Sequence, residues 1–386
     1  MNIGLLGGSF DPFHKGHEAL IDGALKSGIV DAVIVIPSGR NPFKSGRTVS
    51  AAPYRFFMAK NAVEEDFKGR NVFVSDIELT YAGTSFTLTT IKEISKVSYI
   101  RTFLKANGVK ESQADEIVKI AGLLIASRPG DGVDIDEQTE RLEKIFGFVP
   151  DIEVFEIDGI EVASSDMRSK NDFSDAPKTV REFIKTHDLY PVSNPLDLVS
   201  DETVEKFNED AIKLYRFLGE KRLLHTLNVG ILSVRYAGIY DENLCDRALI
   251  AGELHDCAKE LDEHQQMEMA YERAGDTFTE KKIVHSPAGA VMAQREFDVT
   301  DPGILDAITY HTTGRGNMTL LDKIVYLADK LEPSRTYADL SKERELALTD
   351  IDAALKLCVK SVKKKFDSRG QQIHPLTVDL MNELGI

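Results

Sequence analysis

Six residues in the C-terminal half of the chain offer the nitrogen and oxygen ligands that transition metals prefer. They are His225, His255, Asp256, His285, His311 and Asp329. One histidine, a His-Asp pair, two further histidines and a distant aspartate are enough for two metal ions, with a carboxylate able to bridge them. Two close metals lower the pKa of a shared water and neutralise phosphate oxygens, so this set predicts hydrolysis of a phosphoanhydride.

Any one of these histidines taken alone is better explained as a hydrogen-bonded core residue. The sequences around them favour ligands, and they cover residues 254–260, 285–290, 310–314 and 328–335. Two of these segments also contain a cation, Lys259 and Arg335. Fixed cations are needed where anionic oxygens crowd a metal site, so we expect both to contact substrate phosphates. The alternative for each is an ordinary exposed salt bridge.

A second candidate site is the glycine-rich segment from Gly7 to His17. Glycines let backbone N–H groups approach a phosphate, and the N-terminus of the following helix adds partial positive charge. The segment is not the dinucleotide GxGxxG motif and lacks the Lys-Ser/Thr of a P-loop. His14 and His17 are three residues apart, so they share one face of the helix start and could stabilise charge on an attacked phosphate. The alternative is that both histidines only cap or pack.

The elements that position these residues change character near the middle of the chain. From Met1 to about Tyr190, strand-like apolar runs alternate with helix-like segments, which predicts an α/β domain with a Rossmann-like parallel sheet. The predicted strands are Ile3–Leu6, Ala32–Ile36, Val72–Ile77, Leu123–Ala126 and Ile152–Phe155. From about Asp201 onward, apolar residues recur at helical spacing, which predicts an all-α bundle. Proline and small polar residues after Pro191 indicate a break. We expect domains over 1–192 and 204–386, joined by a linker at 193–203.

Composition excludes several classes of function. Hydrophobic residues make up 42% and charged residues 28% of the chain, as in globular proteins that bury a normal core. The net charge of −16 argues against a nucleic-acid surface. Three cysteines without a CxxC pair are typical of a reducing compartment. The apolar start is too short and glycine-rich for a signal peptide, and no membrane-length apolar run follows. We expect a cytoplasmic protein without a membrane or nucleic-acid partner.

The segment from about Met1 to Tyr190 resembles the HxGH nucleotidyltransferase superfamily, and specifically bacterial nicotinate-nucleotide adenylyltransferase. Beyond Gly7–His17, the similar segments are Pro42–Lys44, Asp76–Leu79, Gly83–Thr87, Ser127–Gly130, Ser164–Arg168 and Val180–Tyr190. The resemblance implies transfer of AMP from ATP to nicotinate mononucleotide with Mg²⁺, giving deamido-NAD and pyrophosphate. It also implies that His14 and His17 stabilise the transferring phosphoryl group, assisted by Lys44. The implied nucleotide-binding residues are Gly7, Gly8, Ser9, Phe10, Ser164, Ser165 and Arg168.

The chain departs from this family pattern on the acceptor side. Tyr99–Phe103 stands where the family has a Gly-Ala-Asp turn, and the protein has no Trp. Tyr81, Thr89 and Ala163 replace the usual arginine, aspartate and serine. These changes favour a second hypothesis, in which the N-terminal half is a degenerate module that senses nucleotides and regulates the other half. The presence of His14, His17, Ser164 and Arg168 favours the enzyme.

The segment from about Glu220 to Ile386 resembles the symmetrical diadenosine-tetraphosphatases of the HD superfamily. The resemblance implies cleavage of diadenosine tetraphosphate to two ADP, with Lys259 and Arg335 on substrate phosphates. One implied metal is bound by His225, His255, Asp256 and Asp329, and the other by Asp256, His285 and His311. Iron is favoured because histidine and carboxylate ligands without thiolate suit it, and manganese also fits. The HD ligands are shared with deoxynucleotide and guanosine-alarmone hydrolases, which leaves another specificity open. A homo-oligomer is compatible with this interpretation.

Overall fold

The computed structural model describes residues 2–39, 50–80, 123–127, 152–157, 162–336 and 338–386. The chain forms two compact units. One unit comprises Met1–Ser45 and Tyr54–Lys185, and the other comprises Gly46–Pro53 and Thr186–Ile386. The described strands all lie in the first unit, and the second unit is helical where it is described.

The first unit contains parallel β-sheet, as the alternating sequence pattern predicts. Strands β1 (Ile3–Gly8), β2 (Ala32–Pro37) and β3 (Val72–Val74) are hydrogen-bonded in that order. Strand β4 (Leu123–Ser127) pairs with β5 (Ile152–Glu156), again in parallel. Every residue of β2 is buried, because β2 lies between two neighbours in the sheet. This burial explains why its sequence is a continuous apolar run.

The carboxyl ends of β1 and β2 meet at one edge of the sheet. Gly7 lies opposite Ile36 in the strand register, and the Ser38 N–H donates to the Gly8 carbonyl at 2.8 Å just beyond it. Ligands of open α/β sheets bind outside the carboxyl ends of the strands. The glycine-rich segment that follows β1 is therefore in the expected place for a nucleotide site.

The prediction of a strand over Val72–Ile77 is wrong at its C-terminal end. Strand β3 stops at Val74, and Ile77 begins the short helix α3 (Ile77–Thr80). The cause is Ser75, whose hydroxyl accepts a hydrogen bond from the Ile77 N–H at 3.3 Å. A serine that bonds the backbone two residues ahead favours a turn over a continued strand.

Four further helices precede residue 188 in the described part of the chain. They are α1 (Lys15–Lys26), α2 (Ala52–Asp66), α4 (Ser164–Lys170) and α5 (Lys178–His187). Helix α5 crosses the boundary between the two units, which falls between Lys185 and Thr186.

Ten α-helices follow in the described part of the second unit. They are α6 (Asp201–Leu214), α7 (Glu220–Tyr240), α8 (Cys245–Leu254), α9 (Glu263–Ala274), α10 (His285–Phe297), α11 (Pro302–Tyr310), α12 (Leu320–Leu331), α13 (Ser341–Ala347), α14 (Ile351–Arg369) and α15 (Pro375–Leu384). Helix α6 begins within the segment 193–203, because the Ser200 hydroxyl caps it by accepting from the Thr203 N–H. A 3-10 helix, Pro195–Leu198, also lies in that segment. Among the described helices, none has the length and apolarity needed to cross a membrane.

Helices α7 and α8 pack unusually closely, and this approach depends on two glycines. A Cβ atom at Gly252 would lie 2.8 Å from the Gly230 Cα and 2.7 Å from the Ser233 hydroxyl oxygen. Glycine permits such backbone contact because it has no side chain. The approach brings His225 of α7 beside His255, the residue that ends α8, with ring centroids 5.1 Å apart.

Candidate functional site

The six predicted metal ligands come together in the second unit at the ends and inner faces of five helices. His225 lies within α7 and Asp329 within α12, His285 begins α10, His255 and His311 end α8 and α11, and Asp256 follows His255. All four histidines are at most 5% exposed, and Asp256 is 3% exposed. Burial of so many ionisable groups is costly unless each is paired or bound to a metal.

Asp256 lies at the centre of this cluster, and its two oxygens face different histidines. Oδ1 is 3.2 Å from His285 Nε2 and 3.5 Å from His311 Nε2. Oδ2 is 3.4 Å from His255 Nε2 and 3.9 Å from His225 Nε2. A carboxylate that faces two separate imidazole pairs has the arrangement required to bridge two metal ions.

Asp329 completes one side of the cluster. Its Oδ1 is 3.1 Å from His225 Nε2 and 3.6 Å from His255 Nε2. Ligand atoms of these three residues lie within 4.8 Å of one another. The same is true of His255, Asp256 and His311. Both groups combine imidazole nitrogen with carboxylate oxygen and contain no thiolate.

Main-chain carbonyls fix the orientation of two ligand rings. The Nδ1 atoms of His255 and His311 lie 2.7 Å from the carbonyls of Gly252 and Ile308 respectively. Because a carbonyl only accepts hydrogen bonds, each Nδ1 carries a proton and each Nε2 points into the cluster. Metal-ligating histidines commonly use this arrangement.

The cluster contains buried polar atoms without a hydrogen-bond partner. Among the described residues these include His255 Nε2 and Asp256 Oδ1. Burial disfavours a charge on His255, but Asp256 and Asp329 outweigh it and raise the pKa of His255 to about 9. Burial lowers the pKa of His311 to about 4. The donor set fits divalent cations, which would satisfy both atoms and displace the His255 proton.

Glu332 is a residue of this site that the sequence interpretation missed. Its Oε1 lies 3.1 Å from His225 Nδ1, and the side chain is buried. Burial disfavours the charge on Glu332, but hydrogen bonds from His225 and Ser334 outweigh it and lower its pKa to about 2. The anionic carboxylate therefore fixes the ring of His225, as outer carboxylates do around zinc. The signal was available, because Glu332 follows Asp329 by three residues.

Several cations lie close to the candidate ligands. Arg335 Nη2 is 3.0 Å from Asp329 Oδ1, and Lys259 Nζ is 2.9 Å from His285 Nδ1. Arg222, which the sequence interpretation also missed, donates to Asp256 Oδ2. It precedes His225 by three residues on the same helix, and that spacing could have revealed it. Arg222 and Arg335 keep 29% of their side-chain surface exposed, so both can also reach a bound anion.

In the first unit, the loop after β1 leads directly into α1. His14 is the N-cap residue of α1, and His17 Nδ1 accepts a hydrogen bond from the His14 N–H at 3.1 Å. The two rings are stacked with centroids 3.7 Å apart. Both histidines therefore do cap and pack. Capping uses only the Nδ1 atom of His17, so its proton is on Nε2 and remains available as a donor.

Burial keeps both histidines of the loop neutral. It lowers the pKa of His14 to about 4 and that of His17 to about 3, where the charge of His14 adds to the effect. A neutral imidazole donates one hydrogen bond without requiring a counter-ion. The two histidines can accordingly stabilise negative charge that develops on a phosphate, and they need no counter-ion before the phosphate binds.

Helix α4 is attached to the same loop through two of the predicted nucleotide-binding residues. The Ser164 hydroxyl donates to the Pro12 carbonyl at 3.0 Å. Arg168 donates to the Asp11 carbonyl and lies 3.4 Å from the Asp11 carboxylate. Ser165 is exposed on the same helix turn. These contacts bring the start of α4 to the loop, as the predicted site requires.

The beginning of the loop is shaped by Phe10. This residue is buried and has a φ of 50°, a left-handed conformation that turns the chain. A Cβ atom at Gly8 would lie 3.0 Å from the Phe10 ring, so any larger residue there would have to displace the ring. Gly7 is exposed and Ser9 is half-buried. Lys44 lies outside the described residues, as do Tyr81, Thr89 and the segment 99–103.

Arg55 supports this loop and was not singled out from the sequence. It is 2% exposed, and its guanidinium donates to the carbonyls of Ser9 and Gly39 at 2.9 Å each. These bonds connect the loop after β1 to the loop after β2. A single charged residue within the apolar start of α2 was the available signal, because a buried arginine must have partners.

Comparisons with known proteins agree with both sites. Residues 222–334 match the HD domain family, and residues 5–162 match the cytidylyltransferase-like family. A symmetrical bis(5'-nucleosyl)-tetraphosphatase of Bacillus subtilis is 36% identical over 163 residues, which cover 42% of this chain and 87% of that protein. A probable nicotinate-nucleotide adenylyltransferase of Thermoanaerobacter sp. is 31% identical over 206 residues, covering 49% of this chain and 94% of that protein.

The similarity to some relatives extends over both halves of the chain. A protein of Mycoplasma genitalium described as a probable nicotinate-nucleotide adenylyltransferase/Ap4A hydrolase is 27% identical over 366 residues, covering 94% of this chain and 95% of its own. The same order of two enzymes is therefore found in one chain elsewhere. Taken with the two sites, these matches show that the chain belongs to two families, with an N-terminal nicotinate-nucleotide adenylyltransferase and a C-terminal symmetrical bis(5'-nucleosyl)-tetraphosphatase of the HD class.

Proposed function

We propose that the protein is a bifunctional enzyme. Its C-terminal half hydrolyses diadenosine tetraphosphate to two ADP, and its N-terminal half transfers AMP from ATP to nicotinate mononucleotide, releasing pyrophosphate. The observation that carries the first activity is Asp256, whose two oxygens face separate imidazole pairs. One pair is His285 with His311, and the other is His225 with His255.

In the proposed hydrolase, six residues bind two divalent cations. His225, His255, Asp256 and Asp329 bind one, and Asp256, His285 and His311 bind the other. The metals supply an activated water and neutralise phosphate oxygens when bound. Iron is our preferred metal because the ligand set combines imidazole and carboxylate without thiolate, and manganese is the second choice.

The cations around the ligands have a complementary task. Water attacks one of the two central phosphorus atoms, and the bond to the bridging oxygen breaks to release ADP on each side. Lys259, Arg335 and Arg222 are placed to bind the oxygens of the crowded phosphates, so the leaving ADP is stabilised. Burial lowers the pKa of Lys259, which eases transfer of a proton from this residue to the leaving phosphate.

In the proposed transferase, the phosphate of nicotinate mononucleotide attacks the α-phosphorus of ATP, and pyrophosphate leaves. The Nε2–H groups of His14 and His17 donate to the oxygens on which charge accumulates. Ser164, Ser165 and Arg168 bind ATP phosphates together with backbone N–H groups of Gly7–Phe10, and Lys44 assists. Mg²⁺ neutralises the pyrophosphate. Positioning and charge stabilisation suffice, without a covalent nucleophile.

The test uses the full chain and treats each half as the control for the other. The protein is supplied with Mn²⁺ or Fe²⁺ and diadenosine tetraphosphate, and the products are separated by ion exchange. Two ADP as sole product support the hydrolase, and Asp256→Ala should abolish them while pyrophosphate release from ATP and nicotinate mononucleotide continues. AMP plus ATP would refute the substrate assignment.

The complementary variant is His17→Ala, which should lose pyrophosphate release and keep cleavage of diadenosine tetraphosphate. Nucleotide binding without turnover in the wild-type protein would refute the transferase and support the sensing module. Loss of both activities in His17→Ala would mean that this substitution unfolds the chain, and His17→Asn would then replace it. Asparagine retains an acceptor for the His14 N–H and lacks the Nε2 donor.

A further inference from the structure

A chain of hydrogen bonds runs from the last residue of α5 to the first metal ligand of the hydrolase site. His187 Nδ1 lies 3.0 Å from the amide nitrogen of Asn228, and the same nitrogen donates to Glu332 Oε2 at 2.9 Å. Glu332 Oε1 in turn accepts from His225 Nδ1 at 3.1 Å. All four residues belong to the second unit. By sequence, however, His187 lies in the segment 180–190 that resembles the end of the adenylyltransferase.

The donors and acceptors in this chain permit one arrangement. The amide nitrogen of Asn228 carries two hydrogens, and both the Glu332 carboxylate and His187 Nδ1 lie within hydrogen-bond distance of it. The first can only accept, so the amide nitrogen must face it and its second hydrogen is directed at His187. His187 therefore accepts on Nδ1. Burial lowers the pKa of His187, which agrees with a neutral ring.

Asn228 is 3% exposed, so no bulk water replaces a lost partner. Removing the His187 acceptor would leave one amide hydrogen unsatisfied, and a buried unsatisfied donor is expensive. The amide would then turn to regain a partner. Because it bonds Glu332 Oε2, its rotation would remove one of the hydrogen bonds that hold the carboxylate against the ring of His225.

We propose that His187 is a positioning residue of the hydrolase metal site, acting through Asn228 and Glu332 on His225. The proposal rests on the proposed function of that site. It places the start of the working hydrolase at the end of α5, ahead of residues 222–334 that match the HD family. A residue inherited from the transferase sequence would thus be built into the hydrolase.

The test measures Mn²⁺ binding to the metal-free full chain by titration calorimetry. Substitutions in outer shells of metal sites reduce affinity by about 10- to 100-fold, and His187 is two residues removed from the ligand, so we expect about 3- to 10-fold for His187→Leu. His187→Asn should lie within about twofold of wild type, because its amide oxygen occupies the place of Nδ1. Turnover at saturating Mn²⁺ should be unchanged in both variants.

Asp188→Asn is the matched control. It removes the exposed ion pair between Asp188 Oδ2 and Arg235 Nη2, 2.9 Å apart, in the same segment of chain. Mn²⁺ affinity should not change. A shift equal to that of His187→Leu would show that loosening this segment suffices, and would overturn the specific role of His187.

Two further results would overturn the proposal: wild-type affinity in His187→Leu, or equal losses in the Leu and Asn variants. If His187→Leu does not fold, His187→Gln replaces it, because the glutamine oxygen mimics Nε2 and leaves the Asn228 donor without a partner. Wild-type affinity in His187→Gln then counts against the proposal. Mn²⁺ binding without cleavage of diadenosine tetraphosphate would refute the proposed substrate and leave this inference standing. A wild-type chain that binds no Mn²⁺ would refute both.

Discussion

Glu332→Gln tests how far the metal site depends on a charge that does not itself bind metal. Four groups donate hydrogen bonds to this carboxylate, and Arg335 Nε lies 3.7 Å from its Oε1. His225 Nδ1 and the Ser334 hydroxyl donate to Oε1, and Asn228 Nδ2 and the Ser334 N–H donate to Oε2. A glutamine has the same shape and replaces one oxygen with a donating NH₂ group. In either orientation that group faces two donors.

The expected loss follows from these contacts. Each buried donor left without an acceptor costs about 1–3 kcal/mol. Rotation of the glutamine moves this penalty from one pair to the other and does not remove it, and the His225 ring loses its anionic partner in both cases. Metal affinity should fall by about 10- to 100-fold. This equals about 1.4–2.7 kcal/mol of binding free energy.

The assay is Mn²⁺ titration of the metal-free protein at neutral pH, where Glu332 is fully ionised because its pKa is about 2. Ser334→Ala is the control, since it removes one neutral donor at 2.6 Å and keeps the charge. We expect a smaller loss of Mn²⁺ affinity in this control than in Glu332→Gln, because the carboxylate keeps its charge and its hydrogen bond from His225 Nδ1. Wild-type Mn²⁺ affinity in Glu332→Gln would refute the argument that the carboxylate fixes the ligand.

Three other substitutions probe separate parts of the structure. Arg222→Met should raise the KM for diadenosine tetraphosphate by about tenfold, because a charged hydrogen bond contributes about 1.5–3 kcal/mol. Its Mn²⁺ affinity should stay the same or rise, because Asp256 Oδ2 is freed. Reduced Mn²⁺ affinity in calorimetry would contradict this. His17→Asn should make stability less dependent on pH. His17 has a pKa of about 3 when folded and 6.5 otherwise, so the unfolded chain binds more protons between these values and stability falls as pH falls through them. Between pH 7 and pH 5, the wild-type protein should lose at most about 2 kcal/mol more unfolding free energy than His17→Asn. The measurement is chemical denaturation at both pH values, and an equal loss in the two proteins would contradict the idea. Gly252→Ala should lower the melting temperature of the second unit, because its Cβ would lie 2.8 Å from the Gly230 Cα. Such overpacking costs about 1–3 kcal/mol. An unchanged melting curve in calorimetry would mean that α7 and α8 can separate freely.

The sequence predicted the strands well where an apolar run was both long and uninterrupted. Strand β2 is such a run, and its observed end at Pro37 is one residue beyond the predicted one. The error at Val72–Ile77 arose because apolar residues continue past Val74, while a local hydrogen bond from the Ile77 N–H to the Ser75 hydroxyl turns the chain. Periodicity does not record such bonds, and the serine was the only sign of it.

The six candidate metal ligands were predicted from their residue types and from the sequence segments around them, and the structure brings all six residues together. What the sequence interpretation missed are residues whose importance comes from a neighbour in space. Glu332 and Arg222 are important because of His225 and Asp256, and each is three residues from a candidate ligand in the sequence. Asn228 and His187 are 41 residues apart. No spacing rule connects such a pair before the fold is known.

The carbonyl bonds to His255 and His311 determine which mutations the metal centre can tolerate. The acceptor at position 308 is a backbone atom, so it is present whatever side chain evolution places there. A substitution at position 308 should therefore leave the direction of the His311 ring unchanged. Inserting or deleting one residue in the last turn of α11 is different, because it rotates the carbonyl away from the ring. The site should accordingly tolerate changes in the composition of that turn better than changes in its length.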